Sequence, residues 1–238
     1  MTKEKKTLGV LGGLGPMSSV YFYELLTEHT AASCDQEHLN IILSSHAATP
    51  DRTSYILGSS KVSPLETMTE DAIKLQAFGA DCLAVPCNTA HYFYDALSEA
   101  VSIPIINMMR ETAAYLSNRG VRRAGVLATS GTVSSHTYRY YLREFGIDEI
   151  IPGTEDQNRL MNLIYGTIKH GKQADAGIFL DISSALLSQG AECLIIGCTE
   201  LSLIKKHCSL PDVYVDAMEV LAMQSIRTCG YTPYGFEL

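Results

Sequence analysis

Two cysteines occupy matching places in the chain. Cys87 follows Val85-Pro86 and Cys198 follows Ile196-Gly197, each at the end of a short apolar run and just ahead of a helix-forming stretch. In an open parallel sheet, ligands bind beyond the carboxyl ends of the strands, which is where both thiols fall. A helix N-terminus offers unpaired backbone N–H groups and a partial positive charge, and these favour a thiolate over a thiol. Two such thiols facing each other across a cleft are suited to one kind of work: acid and base on opposite faces of a single carbon. The other five cysteines (34, 82, 193, 208 and 229) read as free thiols, mostly packed as small hydrophobes. Cys82 with Cys87, and Cys193 with Cys198, are five residues apart. Five steps along a strand separate two side chains by ~16 Å and turn them to opposite faces, so neither pair chelates a metal ion.

The surrounding segments repeat. Gly79-Ala-Asp-Cys-Leu-Ala-Val-Pro-Cys87 aligns with Gly190-Ala-Glu-Cys-Leu-Ile-Ile-Gly-Cys198 at an offset of 111, identical at five of nine positions. Earlier, Gly9-Val-Leu-Gly-Gly-Leu-Gly-Pro-Met-Ser-Ser19 aligns with Gly125-Val-Leu-Ala-Thr-Ser-Gly-Thr-Val-Ser-Ser135 at an offset of 116. Two units repeated in the same order imply a duplicated half.

Short apolar runs alternate with helical patterns from end to end. Strands are expected at 8–11, 39–43, 82–85, 104–107, 125–128, 149–151, 193–196 and 213–215. Helices are expected at 18–29, from Ser63-Pro64-Leu65-Glu66 to Gly79, and at 90–100, 111–118, 134–145, 157–169, 174–189 and 217–228. In the first helix, Val20, Phe22, Tyr23, Leu25 and Leu26 are expected to face inward. Strict alternation of this kind implies parallel sheets covered on both faces. The fold class is therefore α/β: two similar lobes, each a parallel sheet flanked by helices, related by a pseudo-two-fold axis with the active site in the cleft between them. The first lobe is expected over 1–110 and 213–238, and the second over 111–212.

Composition narrows the function classes. The chain has 238 residues, 46% of them hydrophobic and 18% charged, with a net charge of −8. That suits a folded domain and argues against a nucleic-acid surface, which is usually basic. No apolar stretch is long enough to read as a membrane span or signal core, so a reducing cytoplasmic setting with free thiols is expected. The glycine-rich loop Gly12 to Gly15 lacks the third glycine of a dinucleotide fingerprint, and Asp35 precedes the second strand instead of ending it.

Pro86-Cys87-Asn88-Thr89-Ala90-His91 together with Gly197-Cys198-Thr199-Glu200-Leu201 resembles the paired cysteine motifs of the aspartate/glutamate racemase family. Gly12-Gly13-Leu14-Gly15-Pro16, Thr49-Pro50-Asp51-Arg52-Thr53, Ala128-Thr129-Ser130-Gly131-Thr132 and Lys169 fall where the aspartate racemase branch has its characteristic loops, so the likeness spans nearly the whole chain. Glutamate racemases typically open the first loop with Asp-Ser and place His after the second Cys-Thr; Gly12-Gly13 and Glu200 point to the aspartate branch. Leu14, where many members have Met, and Met17, at a position often acidic or polar, depart from the pattern.

The resemblance implies racemisation of aspartate, with glutamate as a further substrate, by Cys87 and Cys198 acting as two bases without a cofactor. It implies Arg52 and Lys169 as the local positive charges that receive a dicarboxylate. Leu14, Asn88, Thr89, Thr132 and Thr199 would line the substrate, and fixed donors among them would stabilise a carbanionic intermediate. A homodimer is expected by analogy. His91 reads either as a structural hydrogen-bond partner or as a group tuning Cys87. Rival readings are another proton-transfer enzyme of hydantoin racemase, maleate isomerase or arylmalonate decarboxylase type, or a two-lobed amino-acid binding protein without catalysis.

Overall fold

The computed structural model describes residues 5–236. Strand β1 (Thr7–Gly12) leads into helix α1 (Pro16–Glu28), then β2 (Asn40–Ser45), the short α2 (Arg52–Ile56), α3 (Leu65–Ala77) and β3 (Cys82–Ala84). A 3₁₀ turn at Thr89–Phe93 runs into α4 (Tyr94–Ala100), followed by β4 (Ile105–Ile106) and α5 (Met108–Asn118). The second half repeats the scheme with β5 (Arg123–Ala128), α6 (Ser130–Ser134), α7 (Thr137–Glu144), β6 (Asp148–Ile150) and α8 (Thr154–Met161). A π turn at Asn162–Thr167 and a 3₁₀ turn at Ile168–His170 precede α9 (Ala176–Ser188), β7 (Cys193–Gly197), α10 (Thr199–His207), β8 (Tyr214–Asp216) and α11 (Ala217–Thr228).

The strands form two all-parallel sheets, β2-β1-β3-β4 and β6-β5-β7-β8, of identical order. The duplication extends to single side chains. Gly9 pairs with Leu83 and Gly125 with Leu194. At Gly9 a Cβ would lie 2.5 Å from Leu83 Cδ2 and 2.8 Å from Ala80 Cβ; at Gly125 it would lie 2.6 Å from Leu194 Cδ2 and 3.3 Å from Ala191 Cβ. The same small residue thus lets the same two neighbours close over the central strand of each sheet.

One apolar core joins the halves. Leu8, Val10, Phe22 and Leu26 of the first half pack in one cluster with Ala124, Val126, Tyr138 and Val215 of the second. Helix α11, buried along most of its length, touches α1, α5, β3 and β4 on one side and β7 and β8 on the other.

Three expectations need correction. The strand at 213–215 does not belong to the first lobe: Tyr214, Val215 and Asp216 pair in parallel with Leu194, Ile195 and Ile196. The open edge of β7 needs a partner, and β8 supplies it as β4 does for β3. The chain after Thr228 does return to the first half, where Ala31 N–H donates to Thr232 O. We propose that β8 closes the second lobe and that α11 is shared. Val20 and Tyr23 are not on the inner face of α1 but 54% and 48% exposed, because the buried stripe runs through Ser18, Tyr21, Phe22, Leu25 and Leu26. The helices expected at 90–100, 134–145 and 157–169 are each broken, the second by His136 in the left-handed region at φ 56°.

Candidate active site

The segments after β1, β2, β3, β5 and β7 converge on one cavity. Cys87 and Cys198 both line the resulting inner cavity and are almost fully buried. Leu14, Arg52, Asn88, Thr89, Lys169 and Thr199 line it with them. Thr132 stands one layer behind. Its hydroxyl lies 2.9 Å from that of Thr89 and 3.1 Å from that of Thr129, and Thr89 and Thr129 are 2.9 Å apart. This triangle of hydroxyls ties the first half to the second directly beneath the site. Thr129 also caps α6, accepting from Thr132 N–H.

On the Cys87 side the surroundings are neutral hydrogen-bonding groups. His91 Nδ1 lies 2.9 Å from the carbonyl of Cys87, and its Nε2 lies 3.0 Å from the N–H of Met108. An N–H on Nε2 would oppose Met108, so Nδ1 carries the proton and donates to Cys87 O. Burial pushes the imidazole down to about 4. His91 is thus a neutral brace between the Cys87 loop and the start of α5. Asn88 Oδ1 accepts from Tyr138 O–H at 2.6 Å, and burial, the main cause, keeps that phenol protonated. The arrangement turns Asn88 Nδ2 away from Tyr138, and Nδ2 is buried with no partner. An unpaired buried donor on a cavity wall is a place for a substrate oxygen.

Charge gathers on the Cys198 side. Cys198 occupies the N-cap position of α10, and its Sγ donates to Glu200 Oε2 at 3.2 Å. Burial and then the Glu200 carboxylate push this thiol well up, and the Lys169 ammonium opposes them only in part. Lys169 Nζ stands 3.8 Å from Glu200 Oε1, 3.9 Å from Asp51 Oδ2 and 4.2 Å from the centre of the Tyr165 ring. Burial works to lower its pKa, but Glu200, Tyr165 and both cysteines outweigh that and leave it raised. Asp51 caps α2 by accepting from Ser54 N–H at 2.7 Å and receives Tyr165 O–H at 3.0 Å. Burial raises Asp51, yet the Ser54 bonds and the two cations bring it below its usual value.

Arg52, the first residue of α2, is 6% exposed. It donates to Leu14 O at 2.7 Å, Pro50 O at 2.9 Å and Thr49 O at 3.3 Å, while its Nε has no partner. Among the described residues no carboxylate forms an ion pair with it. Its two terminal nitrogens therefore hold the glycine-rich loop and the 49–50 turn, leaving the Nε edge and an unneutralised charge beside the cavity.

The site is a narrow inner cavity of about 10 Å³, the space of one water, beneath an outer chamber of about 440 Å³. Leu14, Asp51, Arg52, Lys169 and Glu200 line both and form the passage between them. Sequence reasoning singled out the two thiols, the cations and the hydroxyls, and marked Glu200 only as a sign of the aspartate branch. It missed Asp51 and Tyr165 as partners of Lys169. Tyr165 lies four residues before Lys169, a same-face spacing on a helix that signals contact, and Asp51 adjoins Arg52. Tyr138 carried no signal, being distant in sequence from Asn88. Among the described residues no group of three His, Cys, Asp or Glu side chains is placed to hold a metal ion, and no helix is long and apolar enough to cross a membrane.

The chain is similar to known proteins over most of its length. The chain is 29% identical to the Picrophilus torridus aspartate racemase, whose solved structure superposes with a TM-score of 0.81 over 96% of each chain. It is 25% identical over 225 residues to the broad specificity amino-acid racemase RacX of Bacillus subtilis (strain 168), covering 93% of this chain and 97% of that one. The glutamate racemase of Francisella tularensis subsp. tularensis SCHU S4, solved with D-glutamate, shares the fold at a TM-score of 0.66 and 17% identity, over 96% of this chain and 81% of that one. The model of the Asp/Glu/hydantoin racemase family matches residues 11–224, and the chain belongs to that family of racemases.

Proposed function

We propose that the protein racemises aspartate, and glutamate as well, without a cofactor, by a two-base mechanism in which Cys87 and Cys198 act on opposite faces of Cα. The observation that carries this reading is the pair of buried thiols at equivalent strand ends of two duplicated sheets, opening on one cavity. One thiolate removes the Cα proton and the opposite thiol delivers another; the roles reverse for the other enantiomer. The intermediate carries negative charge on the α-carboxylate, where Asn88 Nδ2, the Thr199 hydroxyl and Lys169 supply donors and a positive charge. The resemblance assigns Cys198 to the L form and Cys87 to the D form. We place the enzyme in the cytoplasm as a homodimer, which light scattering on the purified protein checks.

A wider substrate range is favoured by a separate observation. At the passage Lys169 stands beside two carboxylates, Asp51 and Glu200, which offset its charge and leave Arg52 as the cation without an ion pair among the described residues, one positive charge for a substrate with two acidic groups. One assay addresses both readings: incubation of the pure protein with each L-amino acid in turn, without added cofactor, and separation of enantiomers by chiral chromatography. Aspartate turned over fastest supports the narrow reading, and faster turnover of neutral or basic amino acids supports the wider one. Activity should survive exhaustive dialysis and carbonyl reagents and be abolished by thiol alkylation. A requirement for added pyridoxal phosphate would overturn the cofactor-free mechanism.

A further inference from the structure

We propose that Cys82 and Cys229 are a modification site: a hydroperoxide joins them in a reversible disulfide that clamps the first sheet to the helix shared by the two halves. The pair stands apart from the racemase reading, because Cys82 begins β3 whereas Cys87 lies beyond its far end.

Cys82 is the first residue of β3, and Cys229 ends α11 at its C-cap. They are 147 positions apart in the chain, yet their sulfurs lie 3.4 Å apart with both residues wholly buried. Among the described residues no other two cysteine sulfurs share such a contact. The cover is thin, since Lys6, whose N–H donates to Cys229 O at 3.0 Å, and Asp81, the neighbour of Cys82, are both exposed. The duplication supplies a contrast. Cys193 begins β7 as Cys82 begins β3, and α5 ends at Arg119 as α11 ends at Cys229, each end followed by a glycine with positive φ. In the second half the helix end thus brings a cation near the strand cysteine, whose burial nonetheless pushes it up to about 11. In the first half it brings a second thiol. Cys193 shows that one buried thiol suffices to pack this strand start, so the added sulfur of Cys229 is a feature of one half alone.

The two thiols are unequal. By donating to Cys82, the Cys229 thiol holds it below its ordinary value; burial opposes this, and the Lys6 ammonium adds a weaker pull the same way. The same bond, with burial, pushes Cys229 up. Cys82 is therefore the nucleophile and Cys229 the thiol that resolves it. With hydrogen peroxide, the Cys82 thiolate attacks one oxygen: an S–O bond forms, the O–O bond breaks, and the departing hydroxide takes up the proton that Cys82 had lost, as water. The Cys229 sulfur then attacks the Cys82 sulfenic acid. An S–S bond forms, the S–O bond breaks, and the Cys229 proton leaves with the hydroxide as a second water. Two electrons pass from the sulfurs to the peroxide, and a dithiol reductant returns them.

The test is hydrogen peroxide in molar excess over the intact wild-type protein, stopped with catalase, then denaturation in N-ethylmaleimide and peptide mass spectrometry without reduction. The expected product is a Cys82 peptide joined to a Cys229 peptide, two hydrogens lighter than their sum and parted by dithiothreitol, with buried Cys193 recovered as its maleimide adduct. The Tm of the oxidised protein should rise by roughly 5 °C or more, because the link closes a long loop in the unfolded chain, and should fall back on reduction. In Cys82→Ala and in Cys229→Ala the rise should be absent. Exposed Cys34 gauges whether the oxidant has acted. Once Cys34 is oxidised, recovery of Cys82 and Cys229 as separate maleimide adducts, or of Cys82 as a sulfinic acid unjoined to Cys229, would overturn the proposal. A joined peptide with Tm unchanged or lowered would overturn the clamp.

Discussion

The two halves of the molecule share a strand order, a close-packed glycine on each central strand and a cysteine beyond each third strand, yet they prepare those cysteines differently. Cys87 runs into a 3₁₀ turn and is surrounded by neutral groups: the Asn88 amide, the threonine hydroxyls and a histidine held uncharged. Cys198 occupies the N-cap position of an α-helix and donates to a carboxylate that an ammonium approaches. Duplication places two equivalent atoms on either side of one cavity, and the departures from duplication make them chemically unequal. In the proposed two-base reaction the equivalent placement puts one sulfur on each face of the carbon, and the two sulfurs exchange the roles of acid and base with the direction of reaction.

The largest effect should come from removing either sulfur. Cys87→Ser and Cys198→Ser should each lower racemisation by more than about 10³-fold, measured by chiral chromatography, since the hydroxyl is a far weaker base than a thiolate at neutral pH. Equal losses support a shared reaction; a large loss in only one variant would mean the second sulfur is dispensable.

Next come the cations. Lys169→Met leaves Asp51 and Glu200 without their ammonium and removes the charge that favours a Cys198 thiolate. It should cost about 10²-fold in kcat/KM, equally in both directions because the overall equilibrium constant is one, and shift the rise of the pH profile upward. Arg52→Ala should cost about as much, roughly 3 kcal/mol in transition-state binding, and should also lower Tm because three backbone carbonyls lose their donor. An Arg52→Ala variant with wild-type kcat/KM would reduce Arg52 to a structural brace.

A smaller difference concerns the neutral histidine on the Cys87 side. Its folded pKa is depressed from 6.5 to about 4, so between those values the unfolded chain holds a proton that the folded chain does not. Stability from this group is complete above pH 6.5 and lost as pH falls toward 4, by roughly 3 kcal/mol. In denaturant titrations His91→Gln should be less stable than wild type at pH 7, and the gap should narrow by about that amount at pH 4. A constant gap would show that His91 is not held neutral.

The smallest effect probes the duplication itself. A methyl on Gly125 meets chiefly the mobile end of Leu194, whereas one on Gly9 also meets Ala80 Cβ at 2.8 Å, which cannot rotate away. Gly125→Ala should cost about 1 kcal/mol and Gly9→Ala about 2, by urea unfolding. The reverse order would mean that the two sheets are packed less alike than their sequences suggest.

Much of this was legible in the sequence because the signals are local. Alternating apolar runs and the two repeated segments announce parallel sheets in two halves, and the position of each cysteine after its run announces the strand ends. The strand expected at 213–215 pairs with the sheet of the second half, because pairing depends on which open edge a strand completes, which periodicity does not encode. Val20 and Tyr23 look like core residues by type, but Ser18 takes the inner face instead, next to the glycine loop. The charge arrangement at Lys169 was half visible. Its type marked it as a cation for a dicarboxylate, while Asp51, distant in sequence, and Tyr165 come to it only through the fold.

The central claim is that Cys87 and Cys198 serve opposite faces of one carbon. NMR of Cα deuterium exchange in D₂O, run on each enantiomer of aspartate with Cys87→Ala and Cys198→Ala, tests it most directly, because a surviving base can still remove and return a proton on its own face. The account predicts that neither variant racemises, that Cys87→Ala exchanges only L-aspartate, and that Cys198→Ala exchanges only D-aspartate. Racemisation near the wild-type rate in either variant would contradict it.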